Sequence, residues 1–172
     1  HYGYVEKERS SDRYVEAGER KLAQNQDDLQ ARYELAIAYR DAGRLAEGLE
    51  QIRHVEKGMA GQEATTSGYL EIDNVDLVHA DLLDRSDRLA EALQVTSRVL
   101  LRTPDSATAH NNTGSLLTRL GRHEDALQSY RRAQQLAPDH DVIAENLAKV
   151  ERHLAGVAHT PLAQDGGTKK VH

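Results

Sequence analysis

The chain has 172 residues, a formal net charge of −6, 38 % apolar and 29 % charged residues, and no Trp, Phe or Cys. The lack of cysteine excludes disulfides and Cys-ligated metal. No basic block is long enough to follow a phosphate backbone, and no run of about 18 apolar residues is present to span a membrane, so neither nucleic acid nor a bilayer core is an expected partner. The chain starts at His1 rather than Met. That start fits an experimental boundary as well as removal of a signal or anchor, and the compartment stays open between cytoplasm and export.

Residues 1–11 carry no decisive pattern. The stretch "DRYVEAGERKLAQNQDD" (12–28) reads as a lone helix, 12–25, followed by a turn. A helical pair follows at about 29–42 and 45–58, with Gly43 between its members as a left-handed stop. Next comes "GMAGQEATTSG" (58–68), rich in Gly, Ser and Thr and read as an insertion. Few breakers lie between Tyr69 and Leu83, which favours a lengthened helix begun near Ser67 over a loop across 58–68. The second pair is placed at 69–85 and 89–102. The third is placed at 107–120 and 123–137, with Gly121 in its turn and Pro138 after its end. "DVIAENLAKVERHL" (141–154) carries an apolar stripe of Ile143, Leu147, Val150 and Leu154, as a terminal capping helix should. Residues 156–172 lack any period and are expected to be a flexible tail.

These pairs are copies of one another. "EALQ" (91–94) and "DALQ" (125–128) stand 34 residues apart, and the same offset joins Ala80 to Gly114, Leu83 to Leu117 and Pro104 to Pro138. "RLAEGLEQIRHV" (44–55) matches "RLAEALQVTSRV" (88–99) at an offset of 44, which is 34 plus the insertion. The matched positions hold small residues, core leucines and a breaker, the positions that packing fixes. The array of three copies and flanking helices is therefore bounded at about 12–154, with repeats at 29–58, 69–104 and 107–138.

A 34-residue helix–turn–helix with this pattern resembles the tetratricopeptide repeat. The third copy carries the likeness best, through Gly114, Leu117, Gly121, Ala126, Tyr130, Ala133 and Pro138. The second keeps Ala80, Leu83, Ala92, Val99 and Pro104 but has Asp87 where the turn glycine is usual; the first keeps Ala36, Tyr39, Gly43, Leu49 and Val55. No first helix has the family's Trp, and Arg32, Asp76 and His110 stand in its place. The resemblance implies an all-α, right-handed α-solenoid of stacked helix–turn–helix repeats, with a concave groove lined by first helices. Helical phase read through the family aims Tyr33, Ile37, Arg40, Leu77, Asp81, Arg85, Asn111, Asn112, Ser115 and Arg119 into that groove, with Glu145, Lys149 and Arg152 added by the last helix. Some family members grip a C-terminal carboxylate with a Lys/Asn/Arg clamp. Here Tyr33, Ile37 and Val78 replace clamp residues, so that clamp is not expected.

No catalytic constellation emerges. The nine histidines show no HExxH spacing, the carboxylates lie along repeating helix faces, and no Gly-rich loop follows a strand. Copper binding by His1 would need a second nearby His that nothing identifies. The expectation is a non-catalytic scaffold with no cofactor and no metal, binding another protein or peptide through the concave groove as one part of a larger complex. Self-assembly is the alternative, and a metal-binding accessory role ranks last.

Overall fold

The computed structural model describes the backbone of residues 2–60 and 70–158, and side chains over 11–60 and 70–157. These residues form eight α-helices: α1 (Tyr2–Gln24), α2 (Leu29–Asp41), α3 (Leu45–Met59), α4 (Ile72–Arg85), α5 (Leu89–Arg102), α6 (Ala107–Arg119), α7 (His123–Leu136) and α8 (Asp141–Ala158). No strand occurs among the described residues. Each helix packs on the next in chain order, and α2 also meets α4 as α6 meets α8. The result is an all-α helical-repeat solenoid.

The turns explain the repetition. Within each pair the backbone reverses through one left-handed residue: Gly43 at φ 75°, Asp87 at 59° and Gly121 at 72°. The next N–H then reaches back five residues, from Arg44 to the Tyr39 carbonyl (2.8 Å), Arg88 to Leu83 (2.9 Å) and Arg122 to Leu117 (2.8 Å). This closes the orphan carbonyls of the first helix in all three copies. Aspartate tolerates the left-handed region better than most side chains, which lets Asp87 stand in for glycine. The same three arginines then bind a carboxylate three residues on: Arg44 to Glu47 (2.9 Å), Arg88 to Glu91 (2.6 Å) and Arg122 to Asp125 (2.6 Å). Between pairs, Asp28 and Ser106 cap α2 and α6 by accepting from the N–H of Ala31 (2.9 Å) and Ala109 (3.2 Å).

Small residues set the helix spacing. Ala36 and Ala80 are fully or almost fully buried. A Cβ added at Gly114 would lie 2.7 Å from the Tyr130 ring, so α6 and α7 approach only because that position carries no side chain. Leu49, Ile52, Val55, Val75, Leu82 and Leu83 form the main core between the first and second pairs. Val15 of α1 packs with Leu35 and Tyr39, and Val150 of α8 packs with Leu117, Ala126 and Tyr130. On α8, Ile143 and Val150 are buried, whereas Ala148 and Glu151 are exposed where Gly114 and Leu117 are covered one repeat earlier. The charged Glu151 pairs with Arg131 (3.2 Å) and keeps this last face wet, as a cap requires.

Three elements differ from the sequence reading. The first helix begins at Tyr2, not at residue 12. The last runs to Ala158, so residues 156–158, read as tail, are helical; the rest of the expected tail lies outside the described residues. The lengthened helix begun near Ser67 is not formed as expected: α4 starts at Ile72, and Glu71 is extended (φ −89°, ψ 133°). Leu70 packs on the core from that extended segment rather than from a helix. The insertion from 61 to 69 lies outside the described residues.

Candidate functional site

The groove floor comes from α2, α4, α6 and α8. Six of the ten residues aimed there line one cavity of about 400 Å³: Arg40, Leu77, Asp81, Asn111, Asn112 and Ser115. Ile37 and Arg85 belong to a neighbouring cavity of about 520 Å³, shared with Ser11, Tyr14, Glu34, Ala38 and Asp41. Tyr33 and Arg119 line neither. Tyr33 packs against the core, and burial pushes its phenol above the ordinary value, with Arg40 acting in the opposite sense.

The three arginines are engaged by the fold. Arg40 donates to Asp41 (2.9 Å) and lies 3.3 Å from Asp81. Burial works to lower its pKa, but these carboxylates outweigh it and hold the guanidinium above its usual value. Arg85 donates to the other Asp81 oxygen (3.0 Å). Arg119 reaches back one repeat to the Asp84 carbonyl (2.6 Å), the Asp84 carboxylate and Asp87 (2.9 Å). It clamps the turn after α4 to α6, so its charge is taken up by the chain itself.

The polar groups left open on the floor are uncharged. Asn146 of α8 donates to the Asn111 carbonyl oxygen at 3.0 Å, which leaves the Asn111 amide N–H₂ and the Asn146 oxygen unused. The side chains of Asn112 and Ser115 make no hydrogen bond among the described residues. Asn146 was missed from sequence, although a signal existed. Asn146 to Asn111 and Arg119 to Asp84 both span 35 residues, one repeat plus one, the register in which neighbouring first helices touch. The other α8 candidates do not reach the cavity: Glu145 and Lys149 pair with each other at 2.8 Å, and Arg152 donates to the Ala148 carbonyl.

A second polar cluster occupies the Trp position of the middle repeat. Asp76 is 2 % exposed and accepts from Arg98 (2.7 Å) and Arg102 (2.5 Å). Arg98 also donates to Glu56 (2.8 Å), and His79 Nδ1 donates to the same Glu56 oxygen (2.9 Å). Burial acts to raise the Glu56 carboxyl, but the His79 and Arg98 bonds outweigh it and hold it below its usual value. One ligand atom from each of Glu56, Asp76 and His79 falls within 4.8 Å of the others, close enough to hold a cation. Arg98 already bridges both carboxylates, so an incoming metal would have to displace it. The cluster is an ion-pair hub joining α3, α4 and α5. In the other repeats the Trp position is also polar: Arg32 binds Gln51 (2.8 Å) and the Gln26 carbonyl, and His110 donates to the Pro104 carbonyl (2.9 Å).

Stacked helix pairs of one pattern, with first helices around a lined hollow, define the class: an all-α helical-repeat array. Residues 77–141 match the family model described as tetratricopeptide repeat. Over that span the chain carries tetratricopeptide repeats. Among curated proteins, the uncharacterized protein y4yS of Sinorhizobium fredii (strain NBRC 101917 / NGR234) is 40 % identical over 57 residues. That match covers 33 % of this chain and 31 % of the relative, so the chain spans about a third of that protein. Among solved structures, the crystal structure of MamA superposes with a TM-score of 0.66 at 15 % identity, covering 82 % of this chain and 77 % of that one. The first repeat domain of Spaghetti (RPAP3), bound to the HSP90 peptide SRMEEVD, gives 0.60 at 20 % identity, covering 74 % and 93 %. No helix among the described residues is long and apolar enough to cross a membrane.

Proposed function

We propose that the chain is a non-catalytic interaction module that holds an extended peptide segment of a partner protein in its concave groove, as one part of a larger complex. The observation that carries this reading is the row of uncharged hydrogen-bonding groups, Asn111, Asn112, Ser115 and Asn146, around a cavity of about 400 Å³. An asparagine amide offers a donor and an acceptor side by side, which matches the alternating N–H and C=O of an extended backbone. Leu77 and Leu116 supply apolar wall between them. A peptide-bound neighbour of the same fold supports the use of such an array for peptides.

The charge pattern separates this groove from one built for an acidic terminus. Arg40, Arg85 and Arg119 each hold an aspartate of the chain itself, so no guanidinium on these helices stands open for a ligand carboxylate. The ligand expected is an internal, largely neutral segment.

A random dodecapeptide library displayed on phage, selected against the folded chain, tests the reading. Peptides that bind wild type should lose about tenfold in affinity to an Asn111→Ala/Asn112→Ala variant, through two lost hydrogen bonds. Unchanged affinity, or selection only of peptides with acidic C-termini, would remove the basis for the proposal.

A further inference from the structure

Three of the described histidines are engaged by the fold: His54 Nδ1 meets the Glu50 carbonyl, His79 Nδ1 the Glu56 carboxylate and His110 Nε2 the Pro104 carbonyl, each at 2.9 Å. His123 and His153 are arranged otherwise. His123 is the first residue of α7 and His153 lies in the last third of α8, yet their ring centroids are 3.9 Å apart, with the planes tilted by 39°. Neither ring is hydrogen-bonded to the chain among the described residues. Nδ1 of His123 is buried without a partner, and His153 is exposed. The arginines beside them in sequence are turned to other groups: Arg122 to Asp125 (2.6 Å) and Arg152 to the Ala148 carbonyl (3.2 Å). The Glu56–Asp76–His79 cluster differs on this point, since Arg98 already stands between its carboxylates.

We propose that His123 and His153 are the two protein ligands of a site for a late first-row divalent cation, of which Zn²⁺ is the test ion, and that the ion pins α8 to α7. Neutral imidazole is the commonest metal ligand, and zinc takes it at about 2.0–2.1 Å. Two nitrogens on one tetrahedral ion then lie about 3.3 Å apart, a span that rings already in contact reach by side-chain rotation. Exposure leaves His153 room for that rotation. Burial of His123 Nδ1 makes Nε2 the ligand atom on that ring, and no hydrogen bond imposes the opposite tautomer. Water completes the coordination, so the site is open rather than closed like a structural zinc finger. The consequence is mechanical. No helix follows α8 among the described residues, and Leu147, Val150 and Leu154 hold it against Leu117, Ala126 and Tyr130. Terminal elements open locally at the least cost. A metal bridge there raises that cost, because an ion that binds only the closed pair stabilises it by mass action. The site does not depend on the peptide-binding reading.

Zinc chloride added to the full chain, followed by thermal unfolding and titration calorimetry, supplies the test. With zinc about a hundredfold above its Kd, the Tm of wild type should rise by about 5–10 °C. His153→Gln, at an exposed position, and His123→Gln should each remove that rise; far-ultraviolet circular dichroism checks that both fold. Each should also weaken zinc binding at least about tenfold, since even the loss of a residue that supports a ligand costs about that much. The double variant should bind no worse than either single one, the mark of two ligands on one ion. His140→Gln, at an exposed position before α8, should leave both readouts as in wild type. Absence of a zinc-induced rise in wild type would overturn the site. So would a rise that survives in the double variant, or losses that add one histidine at a time, because zinc would then be held by separate surface histidines.

Discussion

Asp76 offers the sharpest test of how this array is held together. Its carboxylate is buried, with one oxygen accepting from Arg98 at 2.7 Å and the other from Arg102 at 2.5 Å. Two substitutions should rank opposite to their chemical conservatism. Asp76→Asn keeps the shape but must turn an N–H₂ toward one guanidinium, which sets donor against donor in a buried site. Leaving such a donor unsatisfied, with a charge-assisted bond lost, costs about 2–3 kcal/mol. Asp76→Leu removes the charge and fills a position where the repeat pattern ordinarily carries a large apolar residue. The released guanidiniums are not stranded: their side chains are 50 % and 36 % exposed, and they keep Glu56 and Asp73 as partners. Replacing a buried ion by a packed hydrophobe is often neutral or stabilising, so the leucine variant should lie within about 1 kcal/mol of wild type. For a chain of this size 1 kcal/mol moves Tm by about 2–4 °C. Thermal unfolding followed by circular dichroism should therefore show Asn lower by about 5–10 °C and Leu within about 4 °C. If leucine proves the more damaging change, the ion-pair hub contributes more than its desolvation removes and the reasoning fails.

Two glycine substitutions should separate packing from backbone effects. Gly114→Ala drives a Cβ into the Tyr130 ring and should lower stability by about 2–3 kcal/mol by overpacking, whereas Gly43→Ala meets no atom within 4 Å and should lose only about 1 kcal/mol through its φ of 75°; equal losses in urea unfolding would contradict this. The Glu56 carboxyl is held below its ordinary value of 4.5, so its stabilisation is present above that pH and disappears as pH falls through the folded value. Glu56→Gln should accordingly flatten the acid limb of a stability–pH curve below about pH 4.5, and an unchanged limb would refute the pairing. Because the groove presents amides rather than open guanidiniums, raising salt from about 0.05 to about 0.5 M should alter the Kd of a selected peptide by less than about twofold; a tenfold loss by titration calorimetry would indicate a charged clamp.

The repeat itself was readable because packing acts on residue size, and size is written in the letters. Ala36, Ala80 and Gly114 had to be small, and Gly43 and Gly121 had to turn. The face was readable once helical phase was read through the repeat family, and Arg40, Leu77, Asp81, Asn111, Asn112 and Ser115 do line one cavity. What phase does not reveal is the partner across the gap. Arg119 points along the expected side of its helix, yet it ends on Asp84 and Asp87 because neighbouring first helices meet one position out of the repeat register. The start of α4 was misjudged because Leu70 is apolar and no Gly or Pro separates it from Ile72. An extended backbone at Glu71 delivers the same leucine to the core without helical turns.

Taken together, the polar contacts along the inner edge form a series. Arg40 with Asp81 ties α2 to α4, Arg119 with Asp84 ties α4 to α6, and Asn146 with Asn111 ties α6 to α8. Each step along the concave face thus has its own tether, at the positions where a ligand would otherwise find charge. A tether of this kind is worth little in stability when its members are half-exposed. Its effect is on shape, because it fixes how far one first helix stands from the next. Spacing between first helices sets the width of the concave face. The paired charges on this face therefore act on its shape, and under the peptide-binding reading proposed above specificity would fall to the amides that lie between them.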